Sequence, residues 1–303
     1  MKHLEVSNSN NPVIAGDGER SQIQRRRKFD YSLHIIFLAA TSVGVISLIV
    51  LLIDVVLGGL SSLNPELFTN YPSRRASQSG LKSALVGTLY MVMIMVPLSF
   101  IIGVGAAIYL EEYSEKNWFT RIIQINISTL AGVPSIVYGI LGLTLFVRLM
   151  YLDRSLIAGA LTMTLLVLPI IIVAAQEALR AVPRARRDAS YALGATKWQT
   201  VARAVLPSAM PGILTGIILA ISRAIGETAP LIMIGALTYV AFLPQNLKDQ
   251  FTVLPIQIYN WLARPQTDFH DLAAAGIMVL LVLLFIMNIS AILIRNRYYN
   301  RLK

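Results

Sequence analysis

The sequence predicts an all-α polytopic membrane protein with six transmembrane helices. Of its 303 residues, 55% are hydrophobic and 14% are charged, and the charges are segregated from long apolar runs. Soluble domains usually carry about 25% charged residues, and a membrane-spanning helix needs roughly 20 mostly apolar residues. Six runs are long enough, at about 35–57, 84–109, 122–147, 156–175, 208–236 and 272–294.

The positions of Lys and Arg predict the orientation of these spans. If the N-terminus is cytoplasmic, most of the 26 basic residues lie in cytoplasmic segments, as the positive-inside rule requires. Both termini are therefore expected in the cytoplasm. The same bias accounts for the net charge of +10, so nucleic acid is not an expected partner, whereas membrane lipid is.

The chain divides into three predicted parts. Residues 1–34 form a polar, basic cytoplasmic tail that is expected to be disordered. Residues 35–57 form a first transmembrane helix, because the apolar run is too long for a cleaved secretory signal. Residues 80–295 hold the remaining spans and a cytoplasmic loop at 177–207.

Two further segments lead to specific expectations. In AGVPSIVYGILG (131–142), Pro134 is expected to bend the third span, and the glycines serve either close helix packing or the substrate. The segment 251–265 is apolar and aromatic but too short to span, so we expect it to be interfacial or re-entrant.

The loop at 177–207 has the pattern of two helices joined by a tight turn. Gly194 permits the turn, and Thr196 followed by Gln199 forms a capping box that starts the second helix. Pro207 is expected to end that helix. Its apolar face comprises Trp198, Val201, Ala202, Val205 and Leu206.

Such an apolar face with a basic rim predicts a docking surface. The alternative is a basic loop that only orients the chain or contacts anionic lipid. That alternative explains the arginines, but it leaves the glycine, the capping box and Trp198 without a reason.

The fifth span carries charges in ISRAIGETAPL (221–231). Arg223 and Glu227 are four residues apart and are expected to pair on one helical face. Charges inside a membrane are costly and normally mark a transport route. Arg suits an oxyanion because its planar fork gives two parallel hydrogen bonds, and Thr228 adds a hydroxyl. A structural salt bridge between helices remains an equal alternative.

These motifs resemble those of ATP-binding cassette (ABC) importer permeases. DASYALGATKWQTVARAVLP (188–207) is similar to the EAA loop through which an ATPase acts on the membrane helices, with Asp188 at a position usually held by Glu. SRAIGETAPL, AGVPSIVYGILG, ALGATKWQT and LPIQIYNW resemble the A-type permease subunit of phosphate-specific transport (Pst) systems, over roughly residues 80–295.

The resemblance implies a MetI-like permease fold and inorganic phosphate as substrate. It implies four partners or neighbours: a second related permease subunit, a homodimeric ABC ATPase, an extracytoplasmic phosphate-binding protein and the bacterial plasma membrane. By this resemblance, the residues expected to line the substrate path are Arg223, Glu227 and Thr228. The residues expected to couple the chain to the ATPase are Asp188, Ala189, Gly194, Ala195, Thr196, Trp198, Leu206 and Pro207.

Enzyme chemistry is not expected of this chain. It contains no Gly-Lys dipeptide and hence no P-loop, so ATP and Mg²⁺ are expected on the partner ATPase. Cysteine is absent, and the three histidines (His3, His34 and His270) lack metal-ligand spacing. The alternatives are a permease for sulfate, phosphonate or another oxyanion, and an ion-coupled secondary transporter.

Overall fold

The computed structural model describes residues 17–115, 117–236 and 239–301, and in this part of the chain the regular structure is helical, without strands. The α-helices are α1 (Asp17–Gly59), α2 (Pro65–Thr69), α3 (Lys82–Ile108), α4 (Trp118–Leu130), α5 (Ser135–Gly142), α6 (Leu156–Arg180), α7 (Arg184–Ala192), α8 (Lys197–Thr200), α9 (Leu206–Gly226), α10 (Ala229–Met233), α11 (Leu254–Leu262) and α12 (Thr267–Arg301). Short 3₁₀ turns lie at Leu60–Ser62 and Ala76–Gln78, and π turns lie at Tyr109–Tyr113, Leu143–Leu149 and Val201–Val205.

The described residues contain five single helical segments that are long and apolar enough to cross a membrane. These are Phe29–Ser62, Lys82–Tyr113, Leu156–Arg180, Lys197–Gly226 and Thr267–Arg297. The pair Trp118–Leu130 and Ser135–Leu149, which is bent by 105°, adds a sixth if its two helices cross as one span. The predicted class is therefore confirmed, but the predicted fifth span is too long, because its helix ends at Gly226 instead of near residue 236.

The chain divides into two compact units, Met1–Asp54 and Val55–Lys303. In its described part the first unit consists of residues 17–54 of helix α1, and the most apolar stretch of that helix has no buried residue. An apolar surface of this kind is stable in lipid. Helix α1 begins at Asp17, inside the predicted disordered tail, so residues 17–34 differ from that expectation; residues 1–16 lie outside the described residues.

Helix α6 is the centre of the second unit. Its most apolar stretch is 67% buried, against 6% for α12, and it packs against α3, α5 and α9. Small residues allow the helices to approach closely. A methyl group added to Gly216 of α9 would lie 2.4 Å from Cβ of Ala174 in α6, and one added to Gly103 of α3 would lie 2.7 Å from Ile171.

The third span is broken rather than gently curved. Helix α4 ends at Leu130, and Pro134 is the N-cap of α5, as expected of a residue that cannot continue the hydrogen-bond ladder. The Tyr138 hydroxyl donates to the Leu130 carbonyl at 2.9 Å and ties the two halves together. The predicted bend at Pro134 is confirmed as a break.

The segment around α11 is buried in the second unit. Phe251, Leu254 and Trp261 are at most 1% exposed, and α11 packs against α12 and α3. Gly87 of α3 gives room to the Thr252 carbonyl, and the backbone N–H of Leu254 donates to the Thr88 hydroxyl at 2.9 Å. Protein therefore covers many of the apolar side chains of this segment, and its expected position as an interfacial or re-entrant segment stays a prediction.

Candidate functional site

The charged pair of the fifth span lies where its helix ends. Arg223 is in the last turn of α9, which stops at Gly226, and Glu227 has an extended backbone (φ −77°, ψ 125°). The Nε atom of Arg223 lies 3.4 Å from Oε1 of Glu227. The predicted pairing is thus present, but the two residues do not share one helix as the spacing suggested.

The Arg223 side chain is only partly covered by the protein. It is 52% exposed, whereas the next two residues, Ala224 and Ile225, are buried in the core. Nothing lies within 4 Å of the position that a methyl group on Gly226 would occupy, so there is open space beside the pair. Among the described residues the guanidinium makes one long hydrogen bond, through Nε, of the five donors that Arg carries. The remaining N–H groups can bind an oxyanion.

The residues after Glu227 form a short broken segment. Thr228 precedes helix α10, and its hydroxyl has no hydrogen-bond partner in the described part of the chain. Pro230 lies in the first turn of α10, where Pro is tolerated. The helix therefore breaks at Glu227 and Thr228, before Pro230 is reached.

Helix α10 is held against the third span by close packing. A methyl group on Gly139 of α5 would lie 2.7 Å from Cα of Pro230 and 2.8 Å from Cβ of Met233. Of the two roles considered for the AGVPSIVYGILG glycines, this contact supports helix packing for Gly139. It places the second half of the broken third span directly beside the segment that follows Arg223.

The loop at 177–207 forms the predicted elbow. Pro183 separates α6 from α7, and α7 contains Asp188 and Ala189. Gly194 has φ +80°, a left-handed conformation that other residues resist. Ala195 follows it, and its backbone N–H donates to the Ser190 carbonyl at 3.2 Å.

The capping box at the start of α8 is present. The Gln199 N–H donates to the Thr196 hydroxyl at 3.3 Å, and the Thr196 N–H donates to Oε1 of Gln199 at 2.9 Å. The Ser190 and Thr200 hydroxyl oxygens are 2.9 Å apart and join α7 to α8. The tight turn is therefore fixed on both sides.

Two expectations about this loop are wrong. The predicted single apolar face is divided, because Trp198 is 63% exposed, as a docking surface requires, whereas Val201 and Val205 are fully buried. Pro207 does not end the second helix, because it lies in the first turn of α9, where its missing N–H is harmless. Leu206 is half-buried and starts α9.

The outer face of the elbow is exposed and partly apolar. No residue of α7 is buried, and Leu193 is 89% exposed, with Tyr191 and Trp198 also exposed. Arg184 and Arg203 add positive charge at its edges. Exposed Trp, Tyr and Arg side chains are the residue types that concentrate binding energy at protein interfaces.

Two acidic residues that hold this loop in place were not predicted from the sequence. Glu112 accepts a hydrogen bond from Nη2 of Arg187 at 2.6 Å, and Glu111 accepts one from Nε of Arg180 at 2.8 Å. Both lie in the π turn 109–113 at the end of α3. The acidic pair could have been matched with the arginines of the loop by charge, but no local pattern shows which pairs form.

In the described residues, no group of three or more His, Asp or Glu side chains is arranged to hold a metal ion. The ring of His270 lies 2.9 Å from the Arg264 carbonyl, His34 lies on α1, and His3 is outside the described residues.

The fold and the site define a class: a polytopic membrane protein with a charged break in one span and an exposed docking elbow. Residues 99–300 match the family model described as binding-protein-dependent transport system inner membrane component. The chain belongs to this family of transport permeases.

Several named relatives align with most of this chain. The phosphate transport system permease protein PstA of Yersinia pestis is 31% identical over 289 residues, which are 95% of this chain and 97% of that protein. The PstA 1 protein of Mycobacterium tuberculosis H37Rv is 36% identical over 216 residues, 71% of this chain and 70% of that one. The probable ABC transporter permease protein YqgI of Bacillus subtilis is 31% identical over 88% of this chain and 92% of its own length.

A solved structure shares the fold. The inward-facing MetNI methionine ABC transporter in its CY5 native crystal form aligns with a TM-score of 0.56 at 20% identity, covering 70% of this chain and 93% of that chain. This likeness confirms the MetI-like permease fold that the sequence motifs imply.

Proposed function

We propose that this chain is one of two permease subunits of an ATP-driven importer of inorganic phosphate in a bacterial plasma membrane. The observation that carries the proposal is near full-length similarity to a protein named as a phosphate transport permease, with 95% of this chain aligned. The relatives from Mycobacterium tuberculosis and Haemophilus influenzae carry the same type of name.

The chemistry of Arg223 suits this substrate. A guanidinium binds two oxygens of a tetrahedral oxyanion with two parallel, charge-assisted hydrogen bonds. Among the described residues most N–H groups of Arg223 have no hydrogen-bond partner, and Glu227 holds its side chain through one long contact of 3.4 Å. In the proposed mechanism Glu227 pairs with the guanidinium while the path is empty. Phosphate replaces Glu227 as the partner of Arg223 during passage, and the Thr228 hydroxyl offers a further hydrogen bond.

The same span connects this cation to the elbow. Residues Lys197–Gly226 form one continuous helical segment of 30 residues through α8, the π turn 201–205 and α9. At about 1.5 Å per residue, Trp198 and Arg223 are on the order of 40 Å apart along it. We propose that an ATPase bound at the elbow displaces this segment and thereby changes access to Arg223.

The remaining parts of the proposal concern partners and orientation. Because this chain has no P-loop, ATP and Mg²⁺ bind to a homodimeric ABC ATPase in this proposal. That ATPase contacts α7, Gly194 and α8 from the cytoplasm. A second related permease completes the path, and an extracytoplasmic binding protein delivers phosphate. Both termini then lie in the cytoplasm, as the distribution of Lys and Arg favours.

The substrate is tested by reconstituting the complete complex in liposomes and comparing two binding proteins, one loaded with phosphate and one with sulfate. We expect ATP hydrolysis and uptake to rise with the phosphate-loaded protein only. Stimulation by sulfate or a phosphonate instead would assign the chain to a different oxyanion importer. Uptake that follows an ion gradient without ATP would assign it to the secondary transporters.

A further inference from the structure

We propose that the π turn 109–113 is a clamp that makes the elbow and helix α3 move together, so that the ATPase acts on two spans and not only on α9. The clamp consists of the side chains of Glu111, Glu112 and Tyr113. This inference rests on the proposed function, because it concerns how movement of the elbow reaches the membrane helices.

Three consecutive residues of the turn each hold one cation of the loop. Glu111 pairs with Arg180 at 2.8 Å, and Glu112 pairs with Arg187 at 2.6 Å. The third contact is a cation–π interaction, with Nζ of Lys197 4.9 Å from the centroid of the Tyr113 ring.

The three cations are distributed over the whole elbow. Arg180 is the last residue of α6, Arg187 lies in the middle of α7, and Lys197 is the first residue of α8. The clamp therefore holds the elbow before, within and after its exposed helix. A single salt bridge would allow the elbow to rotate about one point, whereas three separated contacts do not.

The central contact is the most enclosed of the three. The Glu112 and Arg187 side chains are 9% and 18% exposed, against 19% and 44% for Glu111 and Arg180. Arg187 also donates to the carbonyls of Val182 at 2.8 Å and Leu179 at 3.0 Å. It thus joins the end of α6, helix α7 and the turn at the end of α3. Shielding from water makes such a pair stronger and harder to separate than an exposed one.

The backbone of the turn supports a mechanical role. Residues 109–113 form a π turn that extends α3 beyond Ile108, and such turns occur frequently at functional sites. Because α3 packs along the central helix α6, a displacement of the clamp reaches the core directly.

The first test removes the clamp charges in the complete reconstituted complex. Glu111→Gln combined with Glu112→Gln keeps similar size and hydrogen-bonding atoms but removes both ion pairs. We expect normal assembly and ATP hydrolysis, with solute transported per ATP falling at least about fivefold, the lower end of typical coupling between sites. The matched control is Glu115→Gln, since Glu115 is exposed and has no ion pair among the described residues; it should leave the ratio unchanged.

A rescue separates a mechanical link from a need for these side chains in folding. The chain contains no cysteine, so Glu112→Cys with Arg187→Cys can be joined by a short bifunctional thiol reagent. Without the reagent, the double-cysteine variant should transport less solute per ATP than the wild type. After cross-linking, it should regain the wild-type ratio of solute transported to ATP hydrolysed. If the linked pair stays uncoupled, or if the Gln variants couple normally, the clamp has no mechanical role.

A second measurement does not depend on the substrate. Spin labels at Glu115→Cys and Arg184→Cys leave the clamp residues intact, and their separation can be measured with and without ATP. We expect a narrow distribution of label-to-label distances that is the same with and without ATP. The distribution should broaden when Glu111→Gln and Glu112→Gln are added. A distance that changes with ATP in the intact clamp would overturn the inference. Failure of phosphate to stimulate the wild-type complex would instead count against the proposed function alone.

Discussion

The Nε atom of Arg223 lies 3.4 Å from Oε1 of Glu227, although Glu227 has already left helix α9. The pair therefore lies at a break in the span, with one partner on a rigid helix and the other on extended backbone. A contact of this length is weak, and the arginine is 52% exposed in this chain. This arrangement suits a cation that exchanges its carboxylate partner for a passing anion better than it suits a permanent lock.

Removing the guanidinium should strongly reduce transport without harming the fold. Arg223 contributes little to the core, because its neighbours Ala224 and Ile225 provide the packing. We expect Arg223→Gln to lower phosphate uptake by at least about tenfold, since hydrogen bonds to charged groups contribute about 1.5–3 kcal/mol. Uptake of labelled phosphate in cells measures this. Arg75→Gln is the matched control, because it removes an exposed positive charge outside the spans; equal uptake in the two variants would contradict the role of Arg223.

Replacing Gly194 by a residue with a side chain should uncouple ATP hydrolysis from solute transport. Its φ of +80° is strained for a residue with a Cβ atom, by roughly 1–2 kcal/mol, although there is open space around it. We expect Gly194→Val to reorient α8 relative to α7, so that solute-stimulated ATP hydrolysis is lost while the complex still forms. Gly105→Val is the comparison, since its surroundings are also open but its φ is not positive. Normal stimulation in the Gly194 variant would show that the turn geometry does not matter.

The exposed apolar tip of the elbow should be needed for ATPase binding and not for stability of the chain. Leu193 is 89% exposed and Trp198 is 63% exposed. We predict that Leu193→Ala with Trp198→Ala leaves the melting temperature of the purified permease within a few degrees, because exposed substitutions usually change stability by less than about 0.5 kcal/mol. Co-purification with the ATPase should fall sharply. Retained co-purification would place the docking surface elsewhere.

Asp249 should stabilise the loop before α11 in a pH-dependent way. Hydrogen bonds from the backbone N–H groups of Asn246 and Gln245, each 2.8 Å from its Oδ2 atom, lower the pKa of the Asp249 carboxyl. The Asp249 carbonyl in turn accepts from the N–H of Leu156 at the start of α6.

The sign of this effect follows from the lowered pKa in the folded state. The stabilisation is complete above the unfolded value of about 3.9 and is lost as the pH falls through the folded value. Asp249→Asn should therefore lower the melting temperature at pH 7, and the difference from wild type should disappear at a pH below the folded pKa. A difference that does not vary with pH would show that the charge of Asp249 has no part in it.

Local patterns predicted the local geometry of this protein well. Thr196 and Gln199 form the capping box that their spacing indicates, Gly194 adopts the turn, and Arg223 reaches Glu227. Each of these depends on residues within a few positions of one another, where sequence spacing determines distance.

Features that depend on distant residues were not predictable in this way. Helical periodicity grouped Trp198 with Val201 and Val205, but it does not show whether this chain or a partner covers a side chain. Pro207 was expected to end a helix, yet a proline in the first turn is also compatible with helix initiation. Glu112 and Arg187 are 75 residues apart, so only the packing of α3 beside α6 reveals their contact.

The most direct test of the account is phosphate uptake into liposomes under two conditions. In one, the vesicles hold the complete complex with ATP on the ATPase side and the phosphate-loaded binding protein outside. In the other, they hold this chain alone with an imposed ion gradient. The account predicts uptake in the first condition, which stops when ATP is removed, and none in the second. Phosphate carried by this chain alone, driven by a gradient, would contradict it.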